Sequence, residues 1–204
     1  MAQHDPRPHP IVGCIRKLRP SESAAFLAHL LRLDNEARRN RFGTAVTDQF
    51  LTQYAGTIFG IGGIAFGYVE DGILRGAAEL RGLDDPLSEA AEAAFSVEEG
   101  WRRRGIGAAL FETLITAARN RRHGKLYMTC LRTNTPMQSL ARKFSASISA
   151  ELNEAQGVLD AGQPTPFTIL DEAINDAQGF AFLSRDLQKR HGQQRPLRSR
   201  ELTA

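Results

Sequence analysis

Arg102-Arg103-Arg104-Gly105-Ile106-Gly107 is a basic, glycine-bearing stretch set between two different periodicities. Before it runs Ala93-Ala94-Phe95-Ser96-Val97, apolar and strand-like. After it, Ile106, Leu110, Leu114, Ile115 and Ala118 recur at intervals of three and four, the single buried stripe of a helix. A strand, a glycine turn and a helix make a site for paired phosphates. The first helical turn leaves backbone N–H groups without partners, and the helix dipole adds positive charge there. Glycine lets an anion approach the backbone, and arginines add charge.

Working outward, Arg119 to Gly124 end that helix, and Lys125 to Leu131 reads as the next strand. Both of its faces are largely apolar, which predicts cover on both sides. Upstream, Ala65–Val69 and Leu74–Leu80 flank a Glu70-Asp71-Gly72-Ile73 turn and read as a hairpin. Asp84-Asp85-Pro86 forms a loop, and Ala90 to Val97 is the third antiparallel strand. Gly60-Ile61-Gly62-Gly63-Ile64-Ala65 satisfies a loose dinucleotide pattern, but a strand follows it where a helix is required. Ile11 to Leu18 reads as a first strand. Pro20-Ser21-Glu22 starts a helix with Ser21 as cap and Phe26, Leu27, Leu30 and Leu31 as stripe. Asn35 to Phe42 is a second short helix with Arg38, Arg39 and Arg41 solvated. After residue 144, residues 146–152 and 157–159 read as a closing hairpin. Ile169, Leu170, Ala173, Ile174 and Ala177 then mark a C-terminal helix with Thr168 as cap.

The motifs resemble those of the GCN5-related N-acetyltransferase (GNAT) superfamily. Arg102-x-x-Gly105-x-Gly107 matches its Arg/Gln-x-x-Gly-x-Gly/Ala signature. Val97 to Arg102 resembles the family lead-in, with Glu99 where proline is usual. Asn134-x-x-Met137-x-x-Leu140-x-x-Lys143-Phe144 resembles the second block. The resemblance implies an α/β (α+β) fold: a mixed, mostly antiparallel twisted sheet flanked by helices, with splayed central strands and an extra C-terminal helix. It implies acetyl-CoA as cofactor and transfer of its acetyl group to a primary amine. Arg102 opens the cofactor-binding motif, and backbone N–H groups of Arg103, Arg104, Gly105, Ile106, Gly107 and Ala108 would hold the pyrophosphate. Main-chain groups at Phe95, Ser96 and Val97 would pair with the pantetheine arm, which requires that strand to splay from the one at Lys125. Asn134 would bond the arm, and Arg103, Arg104 and Lys143 would lie near the nucleotide phosphates. Glu92 is the first candidate for general base and Glu79 the second. Glu98 and Glu99 are expected to face away from a diphosphate, and Trp101 to pack the turn on the sheet.

Two departures matter. Ala141 stands where the family often has a tyrosine that protonates the departing thiolate, and the glycine usual before Phe144 is missing. The first keeps a second reading open, a non-catalytic acyl-CoA-binding sensor.

The chain's 204 residues suit one domain of substantial core. The reading divides it into a leader at 1–10, the acetyl-CoA-binding domain at 11–160, a helical extension at 161–190 and a basic, disordered tail at 191–204. The charge of +3 suits an anionic cofactor, and basic residues without interleaved aromatics argue against nucleic acid. No apolar run reaches the roughly 20 residues a membrane helix needs. Two cysteines make no disulfide scaffold, which points to the cytoplasm, and no histidine pair has zinc spacing. His29 is read as packing at a helix surface. Phe180, Phe182, Leu183 and Leu187 leave a homodimer open.

Overall fold

The computed structural model describes residues 12–83 and 89–193, with side chains described up to residue 184. The leader, the loop at Asp84-Asp85-Pro86 and the tail from residue 194 lie outside the described residues. The strands are β1 (Cys14–Lys17), β2 (Gly63–Glu70), β3 (Ile73–Gly82), β4 (Ala90–Val97), β5 (Lys125–Leu131), β6 (Ser147–Glu151) and β7 (Glu154–Asp160). The helices are α1 (Ser23–Arg32), α2 (Asn35–Phe42), α3 (Asp48–Thr57), α4 (Ile106–Asn120), α5 (Thr135–Lys143) and α6 (Pro166–Gln193). One seven-stranded sheet runs β1-β2-β3-β4-β5-β7-β6. Only the β4–β5 pair is parallel, because α4 crosses over between them.

Strand alternation sends side chains to two cores. Ala78, Leu80, Ala91 and Ala93 meet Ile106, Leu110, Phe111 and Leu114 of α4. Ala65, Leu74 and Ala77 meet Phe26 and Leu30 of α1 and Leu51 and Ala55 of α3 on the opposite face. The stripe on α4 is as expected, widened by Phe111 and Ala117.

Several local readings change. Residues 43–57 carried no expected element, yet α3 forms there, with Thr47 Oγ1 accepting from the Phe50 N–H at 3.2 Å. Pro20–Glu22 is a single 3-10 turn, and Ser21 does not cap α1. At the start of α6, Thr165 Oγ1 accepts from the Thr168 N–H at 3.2 Å, so Thr165 caps the helix and Thr168 returns the bond. One face of β5 is open: Lys125 and Thr129 are exposed, and Tyr127 and Leu131 half-buried. The layer of α1 and α3 packs on β2 and β3, while α2 reaches β4 and β5 on that face. The glycine missing before Phe144 is replaced one residue later. Ser145 takes φ +63°, its N–H donates to Arg142 O at 2.9 Å, and Ala146 N–H donates to Ala141 O at 3.0 Å.

Helix α6 packs on β1 and α4. Arg121 pairs with Glu172 at 2.7 Å, while Phe167, Leu170, Ile174 and Phe180 stay exposed.

Candidate active site

β4 and β5 pair only at Ala90↔Lys125, Ala91↔Leu126 and Glu92↔Tyr127. Beyond that point β4 remains paired to β3 as far as Val97, and β5 remains paired to β7 as far as Leu131. The two central strands therefore separate into a wedge whose foot is at Glu92. This is the splaying that the resemblance required.

The Glu98 N–H donates to Arg75 O at 3.0 Å, toward β3. Peptide groups alternate sides along a strand. Those of Ala94 and Ser96 therefore also turn to β3, and those of Ala93, Phe95 and Val97 face the wedge. The Ser96 peptide is therefore directed to β3 and not into the wedge, where Ala93 takes its place beside Phe95 and Val97. Its side chain points toward α1.

The turn at residues 102–105 lies between the end of β4 and the start of α4. Arg103 has φ +60° and Gly105 φ +82°, both left-handed, and α4 starts at the next residue. No side chain caps α4, and no group among the described residues accepts from the amides of Arg103 to Ala108. A Cβ at Gly107 would come no nearer than 3.6 Å to any neighbour, namely Leu140 Cδ2. A side chain would fit there without a clash, so the packing of the fold does not itself require glycine. Free amides at a helix start, exposed Arg103 and a strand edge leading away fit a diphosphate with an extended arm.

The other arginines of the turn are committed. Arg102 Nε donates to Val97 O at 3.2 Å, and its Nη2 meets Asp34 Oδ2 at 2.5 Å. Asp34 also caps α2, accepting from the Ala37 N–H at 2.7 Å. Slight burial opposes ionisation of Asp34, but these donors hold its pKa below the usual value. Arg104 pairs with Glu70 at 3.2 Å. Trp101 packs the turn on the sheet, as expected, with Arg75 stacked 4.0 Å from its ring centroid.

On the second arm, Asn134 follows β5 and caps α5, its Oδ1 accepting from the Met137 N–H at 3.2 Å. Lys143 ends α5, exposed, with Nζ 5.7 Å from the Phe144 ring centroid. Ala141 is buried beside Gly157 and Met128, and supplies no proton donor.

Glu92 is exposed at the wedge's foot. Glu79, opposite Ala94 on β3, is 2% exposed. Its Oε1 accepts from Arg41 Nη2 at 2.8 Å and Nε at 3.1 Å, and its Oε2 from Tyr54 Oη at 2.5 Å. Arg41 is thus buried in an ion pair, contrary to the solvated placing expected for it. Burial and the adjacent Glu79 carboxylate push the Tyr54 pKa far up. Helix α2 itself lies against both β4 and β5, over the wedge.

A second cluster escaped the sequence reading. His29 is fully buried, not at a surface; Nδ1 lies 3.1 Å from Glu98 Oε1 and Nε2 2.9 Å from Ser96 Oγ. Glu98 also accepts from Arg32 Nε and Arg75 Nη1, each at 2.9 Å. Its carboxylate is thus turned to α1 and to Arg75 of β3. Burial works against the Glu98 charge, but His29 and the two arginines hold its pKa down. Burial also lowers the His29 pKa, so the ring is neutral near pH 7. The missed signal was spacing: His29 stands three residues after Phe26 and four before Leu33, on the buried stripe.

Comparisons with known proteins agree with this geometry. No curated protein sequence matches the chain. The GNAT domain of S. lividans PAT superposes with a TM-score of 0.62 at 16% identity, over 72% of this chain and 89% of that one. An N-acetyltransferase from Staphylococcus aureus Mu50 gives 0.59 at 20% identity, over 73% and 98%. The yncA protein of Salmonella typhimurium, solved with its cofactor acetyl-CoA, gives 0.57 at 17% identity, over 75% and 96%. These likenesses establish the fold. The model of the acetyltransferase (GNAT) family matches residues 27–145, more than half of the chain. The chain therefore belongs to the GNAT family of acetyltransferases, whose cofactor is acetyl-CoA.

Proposed function

We propose that the protein transfers the acetyl group of acetyl-CoA to a primary amine. One observation carries the reading: a wedge with a free strand edge that ends on unpartnered amides at Arg103 to Ala108. Those amides and Arg103 hold the diphosphate. Main-chain groups of Ala93, Phe95 and Val97 hold the extended arm. From Val97 back to Ala93 the edge spans about 13 Å, so an arm leaving the turn ends near the foot, beside Glu92. Bound there, acetyl-CoA supplies an activated thioester.

Glu92 is the general base. It is exposed and accessible to an incoming ammonium group, directly or through one water. Glu79 is not, because it is 2% exposed and both of its oxygens are already taken by Arg41 and Tyr54. An amide of the free edge near Ala93 stabilises negative charge developing on the thioester oxygen. Ala141 is buried and carries no proton to give the departing thiolate. Thiols leave readily even so, since their pKa is about 8.5.

The buried Ala141 also favours a second reading, a sensor that binds acyl-CoA without turnover. Release of free CoA with a panel of polyamines, amino acids, aminoglycosides and lysine peptides separates the two. Turnover that Glu92→Gln abolishes supports the enzyme. Binding with no turnover across the panel supports the sensor.

A further inference from the structure

From Ala93 to Val97 β4 is paired on one side only, to β3, so its wedge-facing edge depends on that one ladder and on the side chains packed on its two faces. On the α4 face Phe95 is held against Phe111, with ring centroids 4.9 Å apart. On the opposite face Ala94 offers only a methyl group. Ser96 and Glu98 are the remaining residues there, and one imidazole, that of His29, bonds both. Residues two apart in an extended strand are about 6.6 Å apart. A ring bonded at both nitrogens spans that gap only while the strand stays extended.

The roles of the nitrogens follow from the neighbours. Glu98 is ionised between Arg32 and Arg75, so it accepts the Nδ1–H. Nε2 then carries the lone pair and accepts the Ser96 hydroxyl proton. Serine, histidine and glutamate in this order match the donor pattern of a nucleophile with its base. Here the serine is only 7% exposed and is turned to α1, away from the wedge, so it is not a nucleophile.

We infer that His29 is a positioning residue for cofactor binding: by stapling Ser96 to Glu98 it keeps the peptides of Phe95 and Val97 aimed into the wedge. The inference rests on the wedge being the acetyl-CoA cleft. The Ser96 bond is the critical one, because Ser96 lies between the two wedge-facing peptides. Glu98 has two arginines to hold it in any case.

Isosteric replacements divide the two bonds. Asparagine in place of His29 puts its amide near the Nδ1 position and keeps Glu98. Glutamine reaches the Nε2 position and keeps Ser96. Calorimetric titration with acetyl-CoA should show H29N and S96A about tenfold weaker than the wild type, the effect of one lost hydrogen bond. H29Q should bind within about twofold of the wild type. Melting temperatures taken alongside should fall for both His29 variants, so that affinity and stability part company. Equal loss of affinity in H29N and H29Q, or wild-type affinity in S96A, overturns the inference while leaving the cofactor reading intact. If the His29 variants do not fold, S96A alone decides. Failure of the wild type to bind acetyl-CoA overturns the cofactor reading and this inference with it.

Discussion

Replacing Glu79 with glutamine separates a structural carboxylate from a catalytic one. In the wild type Glu79 neutralises Arg41, whose side chain is 10% exposed against 3% for Glu79. Glutamine keeps the shape and can still accept from Tyr54, but leaves the guanidinium buried without a counter-charge. Breaking a buried pair from one side costs about 3–5 kcal/mol, and the retained Tyr54 bond places this case near 3. For a chain of this length that lowers Tm by roughly 10 °C. The double variant E79Q/R41M removes both charges and should recover most of the loss, because an apolar pair of similar volume is often neutral. Urea and thermal unfolding measure the stabilities, and CoA release at saturating substrate measures kcat below the lowered Tm. The expected outcome is a large stability loss with kcat kept within about threefold, since the role is not proton transfer. A stable E79Q protein whose turnover falls a hundredfold or more would refute the reasoning and make Glu79 the base.

Glu92→Gln should lower kcat about 10²–10⁴-fold at neutral pH, with acetyl-CoA affinity unchanged by calorimetry. The folded-state pKa of His29 lies below its unfolded value of 6.5, so its contribution to stability is full above pH 6.5 and is lost as pH falls below that. Unfolding free energies between pH 7 and 5 should therefore decline on acidification, and less steeply in H29Q. Asp34 and Glu98 are depressed as well, but from carboxylate values, so their share is lost only below about pH 4.5. Ser145 holds φ +63°, and S145G should stabilise the chain by about 1 kcal/mol in urea unfolding.

Features carried by local chemistry were legible in the chain. The phosphate turn shows itself because glycine and arginine interrupt two periodicities at one point. The hairpin at Glu70–Ile73 shows because Asp71 and Gly72 both take positive φ. The wedge was legible only through the family resemblance, since nothing in Ala93–Val97 or Met128–Leu131 says which strands part. Helix α3 could have been found from Thr47 as cap and Leu51, Tyr54, Ala55 and Ile58 at helical spacing. The charged clusters were the least legible. Arg41 and Glu79 are 38 positions apart and His29 and Glu98 are 69 apart. Charged side chains are mostly exposed, so composition argued for solvent. Only the topology, which folds α1 to α3 over β3 and β4, makes each a partner for the other.

On the proposed function, exposed amides after Arg102 receive the diphosphate of acetyl-CoA. Calorimetric titration of the wild type and of G105V/G107V, with folding checked by circular dichroism, tests it most directly. Valine at 105 must adopt φ +82° or unwind the turn, and valine at 107 fills the open cradle. The expected result is saturable one-to-one binding by the wild type and a loss of a hundredfold or more in a folded double variant. Equal affinity in the two proteins would contradict it.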